Sequence, residues 1–195
     1  VLEALEEILT DVWWVVECDD GLVVTLNPAV HMDIPGNVTV YFNETIMVPN
    51  ATEPSMYYCN VTFMANEYPE EGAVIGVETI CIEVAPISVE IDIKPGSFPN
   101  SINTKSKGVI PVALLGGPDL DVTTVNTSTL AFGPNEASPV HVAMEDVNND
   151  GFMDLISHYQ TQETGIAQGD IEACLTGRVL DGRTFQGCDS VRTGK

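Results

Sequence analysis

The nonapeptide DVNNDGFMD, residues 146–154, carries the strongest chemical pattern in the sequence. Calcium is a hard cation that binds oxygen, and alternate residues of a tight loop can point carboxylate and amide oxygens inward. A glycine in the middle of such a loop allows a sharp turn that a residue with a Cβ would resist. The pattern therefore predicts a Ca²⁺ loop, whose ligands would be the side chains of Asp146, Asn148, Asp150 and Asp154 and the backbone carbonyl of Phe152.

The residues around this loop indicate two strands rather than the two helices of an EF-hand. The position at which an EF-hand carries a bidentate Glu is Ser157, and residues 139–144 and 155–159 have the composition of β-strands. The motif is therefore similar to the short calcium loops that join strands in integrin-type propeller repeats. The alternative is an acidic, solvent-exposed turn that binds no ion.

The charge of the chain is strongly negative and unevenly distributed. Among 195 residues, 29 are Asp or Glu and 7 are Lys or Arg, which gives a formal net charge of −22 at pH 7. No Lys or Arg precedes Lys94. Nucleic acid and anionic membrane surfaces are bound through Lys and Arg, so the composition argues against both partners. No apolar run is long enough for a membrane span.

The sequons indicate an exported protein. The chain begins at Val1 without Met or an export segment, so we expect a processed protein or part of a longer one. Sequons of the form Asn-x-Ser/Thr predict N-glycosylation, and four of the five fall within residues 37–62. The alternative is that Asn and Thr are common at strand ends. The predicted glycosylation sites are Asn37, Asn43, Asn50, Asn60 and Asn126.

Five cysteines predict an oxidising compartment, with one cysteine left over. Cys174 and Cys188 flank the dipeptide Asp181-Gly182, which is typical of a hairpin turn. Folding the chain at this turn brings the two thiols nearly opposite each other. The sequence therefore predicts a Cys174–Cys188 disulfide.

A second hairpin, bending near residues 69–72, would place Cys59 close to Cys81 and predicts their pairing. Cys18 would then be the odd cysteine, available for a bond to another molecule. A bond from Cys18 to Cys59 or to Cys81 stays open as an alternative.

Residues 1–17 form a predicted apolar N-terminal arm. The first nine residues have the spacing of a short amphipathic helix, and an unbroken apolar run follows. Such a run is typical of a strand that is buried on both faces. This strand either completes the sheet of its own domain or is donated to the open sheet edge of a neighbouring copy. The run consists of Val12, Trp13, Trp14, Val15 and Val16.

The rest of the chain predicts an all-β fold with two β-sandwich domains, at residues 18–86 and 87–195. Short β-rich runs alternate with Pro, Gly and Asn breakers, and no long helical period occurs. In the first domain, Tyr57 stands two residues before Cys59. This spacing resembles the tyrosine corner of immunoglobulin-like domains. Residues 85–87 form the predicted linker.

The last hundred or so residues resemble a module found toward the C-termini of secreted and surface proteins of bacteria and archaea. The resemblance rests jointly on VEIDIKPGSFPNSIN at 89–103, the loop at 146–154, ACLTG at 173–177 and GCDS at 187–190. It implies a calcium-binding β-domain of extracellular proteins without an established chemistry.

The sequence carries none of the common catalytic signatures, so we expect that the protein is not an enzyme. It contains no G-x-S-x-G elbow, H-E-x-x-H helix, phosphate-binding glycine loop or dinucleotide fingerprint. His141 and His158 lie on the two strands that leave the predicted loop. A register that places them on one face would allow a second metal, although such histidines are more often ordinary strand residues.

These features together predict a non-enzymatic, extracellular or cell-surface structural protein, stabilised by calcium and N-glycosylated. Copies of the chain would assemble into a filament or layer by strand donation. This architecture is similar to that of glycan-coated extracellular fibrils whose protomers exchange strands. One alternative is a monomeric, calcium-dependent adhesion or glycan-binding module of a larger secreted protein. A further alternative is an accessory domain of a secreted hydrolase.

Overall fold

The computed structural model describes residues 2–3, 9–19, 22–27, 32–34, 39–40, 43–49, 52–66 and 73–194. These residues form β-strands and one short 3₁₀ helix, which confirms the predicted all-β class. No helix in this part of the chain has the length and apolarity needed to cross a membrane. The chain divides into two compact units, Val1–Ala85 (unit 1) and Pro86–Lys195 (unit 2), and the division falls within the predicted linker.

Unit 1 contains eight described strands. They form one four-stranded sheet in the order β4-β2-β7-β8 and two two-stranded sheets, β3-β6 and β1-β5. The strands are β1 Leu2–Glu3, β2 Leu9–Cys18, β3 Val23–Asn27, β4 Met32–Ile34, β5 Thr39–Val40, β6 Asn43–Met47, β7 Ser55–Asn66 and β8 Ala73–Val84.

The predicted N-terminal arm lies within the sheet of unit 1. Strand β2 pairs antiparallel with β4 on one side and with β7 on the other. Val12 is fully buried whereas Val15 is 41% exposed, so the prediction of burial on both faces is wrong. The reason is the two-residue period of a strand, which turns alternate side chains of an apolar run toward solvent. Trp13, Trp14 and Val16 are half-buried.

The predicted N-terminal helix is wrong where the structure describes it. Leu2–Glu3 is a strand that pairs with β5, and Leu9 already belongs to β2. Residues 4–8 lie outside the described residues. Pairing with other strands satisfies the backbone groups of these short segments, and this tertiary context overrides a weak helical period.

The core of unit 1 follows the alternation of its strands. Val24 and Leu26 of β3 pack in one cluster with Val61 and Phe63 of β7 and Ile82 of β8. Full burial of one such side chain stabilises a fold by about 1.5–3 kcal/mol. Because burial alternates along each strand, one face of the strand packs in the core and the other face is turned toward solvent.

Unit 2 contains two four-stranded sheets, β10-β12-β15-β14 and β13-β16-β17-β9, and the short parallel pair β11-β18. A short 3₁₀ helix, Val122–Thr124, precedes β13, and the side chain of Asp121 caps it. The strands are β9 Ile87–Ser88, β10 Ile91–Ile93, β11 Ser101–Ile102, β12 Val109–Leu114, β13 Val125–Phe132, β14 His141–Glu145, β15 Asp154–Gln160, β16 Glu172–Val179, β17 Thr184–Ser190 and β18 Arg192–Thr193.

Both four-stranded sheets of unit 2 contribute to one hydrophobic core. Val112 and Tyr159 come from one sheet, and Phe132, Leu175 and Phe185 from the other. The rings of Phe132 and Tyr159 pack with their centroids 5.0 Å apart. Burial raises the pKa of Tyr159 to about 12, so its hydroxyl stays protonated at physiological pH.

The hairpin of β14 and β15 positions the acidic loop. Its antiparallel register runs from His141 opposite His158 to Glu145 opposite Asp154. On its other side β15 pairs with β12, where Leu114 lies opposite Leu155. The loop at 146–153 therefore emerges at the end of the sheet at which β12 also ends.

Candidate metal centre

The acidic loop begins directly after β14 and ends at the first residue of β15. Two of its residues have a left-handed backbone, Asn149 with φ 61° and Gly151 with φ 92°. Asn is one of the side chains that tolerate this region, and glycine adopts it without steric cost. The loop can therefore turn sharply where the sequence pattern requires it.

The polar side chains of the loop converge on its own backbone. Asp146 accepts hydrogen bonds from the N–H groups of Asp150 at 3.2 Å and Gly151 at 3.1 Å. The amide oxygen of Asn148 also accepts from Asp150 N–H, at 3.1 Å. Asp150 accepts from the N–H of Phe152 at 2.8 Å. Asp146, Asn148 and Asp150, the first three predicted side-chain ligands, are thus folded into one compact turn.

Asp154 has a different environment, because its side chain is fully buried. One carboxylate oxygen accepts from the N–H of Val147 at 2.9 Å, and the other accepts from the N–H of Gly116 at 2.9 Å. A buried carboxylate is costly unless it is hydrogen-bonded, and bonds to an ionised acceptor are stronger than neutral ones. Asp154 therefore joins the loop to the chain segment after β12.

The donor chemistry of the loop fits a hard cation. The amide nitrogen of Asn148 donates to Asp150 Oδ2 at 2.9 Å, so these two side chains are in contact. A carboxylate oxygen that accepts one hydrogen bond keeps lone-pair capacity for a cation. Asp146, Asn148 and Asp150 would hold Ca²⁺ together, with the carbonyl of Phe152. Asp154 differs from these side chains in that its carboxylate is fully buried, so its first role is to anchor the loop.

A second group of potential ligand atoms, which the sequence reasoning did not identify, lies on β16 and β17. Atoms of Glu172, Cys174 and Cys188 lie within 4.8 Å of one another. The two sulfurs are bonded to each other, however, so neither offers a thiolate. In the oxidised protein these atoms do not form a metal site.

The disulfides confirm one predicted pair and correct the other. Cys174 and Cys188 are bonded and lie directly opposite each other in the β16–β17 register. Cys59 is bonded to Cys18 rather than to Cys81. Of the five cysteines, all of which are described, Cys81 is free and exposed.

The register of β7 explains why the prediction of a Cys59–Cys81 bond is wrong. Cys59 lies opposite Ile80, whereas Cys81 lies opposite Tyr58. This offset of one residue puts the two cysteines on opposite faces of the hairpin. On its other side β7 sets Cys59 directly opposite Cys18.

An open cleft of about 440 Å³ lies beside the acidic loop within unit 2. Its lining includes Asp150 and Phe152 of the loop, together with Glu90, Gly116 and Asp119. The sequence reasoning did not locate this cleft, because it is formed by segments far apart in the chain. The turn dipeptides around Gly117-Pro118 are the only local indication of a bend there.

Three predicted glycosylation sites lie in the described part of the chain. Asn43 and Asn60 are exposed on β6 and β7. Asn60 also accepts a hydrogen bond from the hydroxyl of Thr79 at 2.9 Å. Asn126 is partly buried, and its side-chain oxygen accepts from Ser128. Asn37 and Asn50 lie outside the described residues.

Asp189 connects two of the sequence motifs, which are far apart in the chain. Its Oδ2 accepts hydrogen bonds from Ile93 N–H at 2.9 Å and from the Asn100 side chain at 2.8 Å. The residues belong to the stretches IDIKPGSFPNSIN and GCDS. Burial, followed by the charge of Asp189, raises the pKa of the nearby Asp92 above its usual value.

Comparisons of the chain with protein-family models, with curated proteins and with solved structures gave no match. The class that the structure defines is therefore an all-β protein with two disulfide bonds. The likeness to a calcium-binding module rests on the motifs of the sequence alone.

Proposed function

We propose that the protein is a non-enzymatic, extracellular structural protein, stabilised by Ca²⁺ and N-glycosylated, whose copies assemble into a surface filament or layer. Its two units would be β-sandwiches, the first immunoglobulin-like. The observation that carries the proposal is the anchored acidic loop, in which Asp146, Asn148 and Asp150 fold together and the buried Asp154 holds the loop to Gly116.

The physical argument for calcium is electrostatic. The nine residues 146–154 include three aspartates, Asp146, Asp150 and Asp154, which carry the formal negative charge of the loop. Like charges at this spacing disfavour the folded loop unless a cation neutralises them. An ion that binds only the folded state stabilises it by mass action. Extracellular calcium modules typically work with dissociation constants of about 10⁻⁴–10⁻³ M.

An extracellular location agrees with three further properties. Disulfides persist in oxidising compartments, and the structure holds two of them. Exposed Asn43 and Asn60 are accessible for glycan attachment. The strong negative charge would repel other copies unless divalent cations screen it, which fits assembly in a calcium-containing medium.

Assembly is proposed to use β2. This ten-residue strand occupies the middle of its sheet, between β4 and β7. The same strand pairs can form with β2 of a neighbouring copy, as in domain swapping, because no new contact is required. The Cys18–Cys59 bond would then join two copies instead of closing one.

This consequence provides the test. Native particles are denatured in SDS without reductant, with free thiols blocked beforehand. Strand exchange predicts a ladder of covalent oligomers that collapses to one band on reduction. A Cys81→Ser variant should keep the ladder, whereas a Cys18→Ser/Cys59→Ser variant should lose it. A single monomer band from particles that are large before denaturation would exclude exchange of β2.

Calcium dependence of the assembly is tested by light scattering on unheated material, first with calcium and then with excess EDTA. Particles that shrink on chelation support a calcium-dependent polymer. Particles that persist in EDTA assign the connections to β2 or to Cys81. A monomer under both conditions would contradict the structural proposal.

The cleft beside the loop favours one second candidate, a monomeric calcium-dependent adhesion or glycan-binding module. A ligand in this cleft would lie against Asp150 and Phe152, so calcium would organise part of the binding surface. Binding to a glycan array in calcium, lost in EDTA, would support this candidate. An array that stays blank with calcium present would argue against it.

A further inference from the structure

The two histidines of the β14–β15 hairpin lie directly opposite each other. His141 is paired with His158 in the antiparallel register, so their side chains project from the same face of the sheet. Their ring centroids are 5.5 Å apart, with an angle of 49° between the ring planes. The condition that the sequence left open for a second metal, a register with both imidazoles on one face, is therefore met.

The separation of the rings matches chelation of one metal ion. Zinc–nitrogen bonds are about 2.0–2.1 Å long, so the centroids of two imidazoles on one tetrahedral ion lie about 5–6 Å apart. The observed 5.5 Å falls within this range before any side chain moves. Both side chains sit on strands, which hold their Cα positions better than loops do.

Within the described part of the chain, the surroundings leave one covered nitrogen of the pair without a hydrogen bond, which a bound ion would satisfy. His141 is exposed, and Nδ1 of the half-buried His158 is covered but has no hydrogen-bond partner among the described residues. A neutral imidazole presents one nitrogen as a lone-pair donor. The net charge of −22 also raises the local concentration of cations around the chain.

We propose that His141 and His158 form a two-imidazole site for a borderline divalent metal ion such as Zn²⁺, Cu²⁺ or Ni²⁺. Water completes the coordination, because no third His, Cys, Asp or Glu of the described chain groups with this pair. Imidazole suits these metals, whereas Ca²⁺ and Mg²⁺ prefer oxygen. The site is separate from the acidic loop at the other end of the hairpin, and it does not depend on the proposed function.

The first test is a Zn²⁺ titration by calorimetry on the full chain, with excess Ca²⁺ present to occupy exposed carboxylates. The second imidazole contact is effectively intramolecular, so its loss in His141→Ala should weaken Zn²⁺ binding about tenfold or more. His158→Gln, which keeps much of the side-chain volume, should do the same. Gln160→Ala changes the same strand face two residues away and should bind Zn²⁺ like the wild type. Equal affinities in the wild type and both histidine variants would overturn the site.

The second test is the Cu²⁺ electron paramagnetic resonance spectrum, which shows the ligand atoms directly. The wild type should show hyperfine coupling to two imidazole nitrogens. His141→Ala should lose the coupling to one of them. A wild-type spectrum with oxygen ligands alone, or one unchanged in His141→Ala, would contradict the proposal. Asp150→Asn, which alters only the acidic loop, should leave both measurements unchanged, so failure of the calcium site and failure of this site remain distinguishable.

Discussion

The backbone N–H of Gly116 donates a 2.9 Å hydrogen bond to Oδ1 of Asp154, a residue 38 positions later in the chain. The other oxygen of the same carboxylate accepts from Val147 inside the acidic loop. One buried side chain thus holds the segment after β12 against the loop between β14 and β15. Asp154 anchors the loop, and Asp150 belongs to the proposed ligand set. Replacing each of them alone should therefore separate the stability of this corner from its affinity for an ion.

Replacing Asp154 should destabilise unit 2 whether or not calcium is present. In Asp154→Ala the N–H groups of Gly116 and Val147 lose their acceptor in a buried site. Each unsatisfied buried donor costs about 1–3 kcal/mol, so the loss of the acceptor of two donors should lower the free energy of unfolding by about 2–6 kcal/mol. Chemical denaturation in calcium and in EDTA measures this loss.

Replacing Asp150 should instead remove the response to calcium. Asp150 is exposed and lies in the proposed ligand set, so Asp150→Asn removes one charge and little packing. We expect that EDTA lowers the melting temperature of the wild type clearly and that of Asp150→Asn much less. A wild-type melting temperature that EDTA leaves unchanged would mean that the loop holds no ion of structural consequence.

Gly116 should tolerate no side chain. A Cβ built at this position overlaps the backbone carbonyl of Met153, which has no alternative rotamer to adopt. Forcing an extra carbon into such a site typically costs about 1–3 kcal/mol, and here it also displaces the residue before Asp154. Gly116→Ala should therefore lower both the melting temperature and the affinity for Ca²⁺. Gly117→Ala is the matched control, because a Cβ there meets nothing within 4 Å.

Unit 1 should depend on Cys59 and not on Cys81. The Cys18–Cys59 bond closes a loop with a sequence separation of 41. The chain-entropy argument gives about 4 kcal/mol for a loop of this length. Cys59→Ser should therefore strongly destabilise unit 1, whereas Cys81→Ser should leave its unfolding transition unchanged. Peptide mapping under non-reducing conditions provides the direct check, because a Cys59–Cys81 peptide pair would contradict the register of β7 and β8.

Much of the fold could be predicted because its information is local. The alternation of apolar residues predicts strands such as β7 and β8, and the Asp181-Gly182 turn correctly sets Cys174 opposite Cys188. The residues around 146–154 likewise predict the two strands that flank the loop. Each of these features follows from side chains a few positions apart.

The predictions that are wrong or missing concern contacts between residues that are far apart in the chain. The Cys59–Cys81 pairing fails by a register offset of one residue, which composition does not encode. The hydrogen bonds that Asn100 donates to Asp189 and that Gly116 donates to Asp154 join residues 89 and 38 positions apart. Such contacts depend on how the sheets are assembled. The sequence motifs contain Asn100, Asp154 and Asp189, but the sequence does not show which residues these side chains contact.

The pH dependence of stability should change sign between two aspartates. Burial, followed by the charge of Asp189, raises the pKa of Asp92 above its usual value of 3.8. Its ionised form is therefore disfavoured in the folded protein at neutral pH, and Asp92→Asn should raise the melting temperature there. The gain should shrink as the pH falls through the raised pKa of Asp92, and it should vanish below the usual carboxyl pKa, where both the folded and the unfolded state are protonated.

Asp121 is the control with the opposite sign, because hydrogen bonds from Thr123 lower its pKa. Asp121→Asn should lower the melting temperature at neutral pH, and this loss should disappear as the pH falls through the lowered pKa. Melting curves of both variants and the wild type between acidic and neutral pH make the comparison. A difference in melting temperature between Asp92→Asn and the wild type that is the same at every pH would show that folding does not raise the pKa of this carboxyl group.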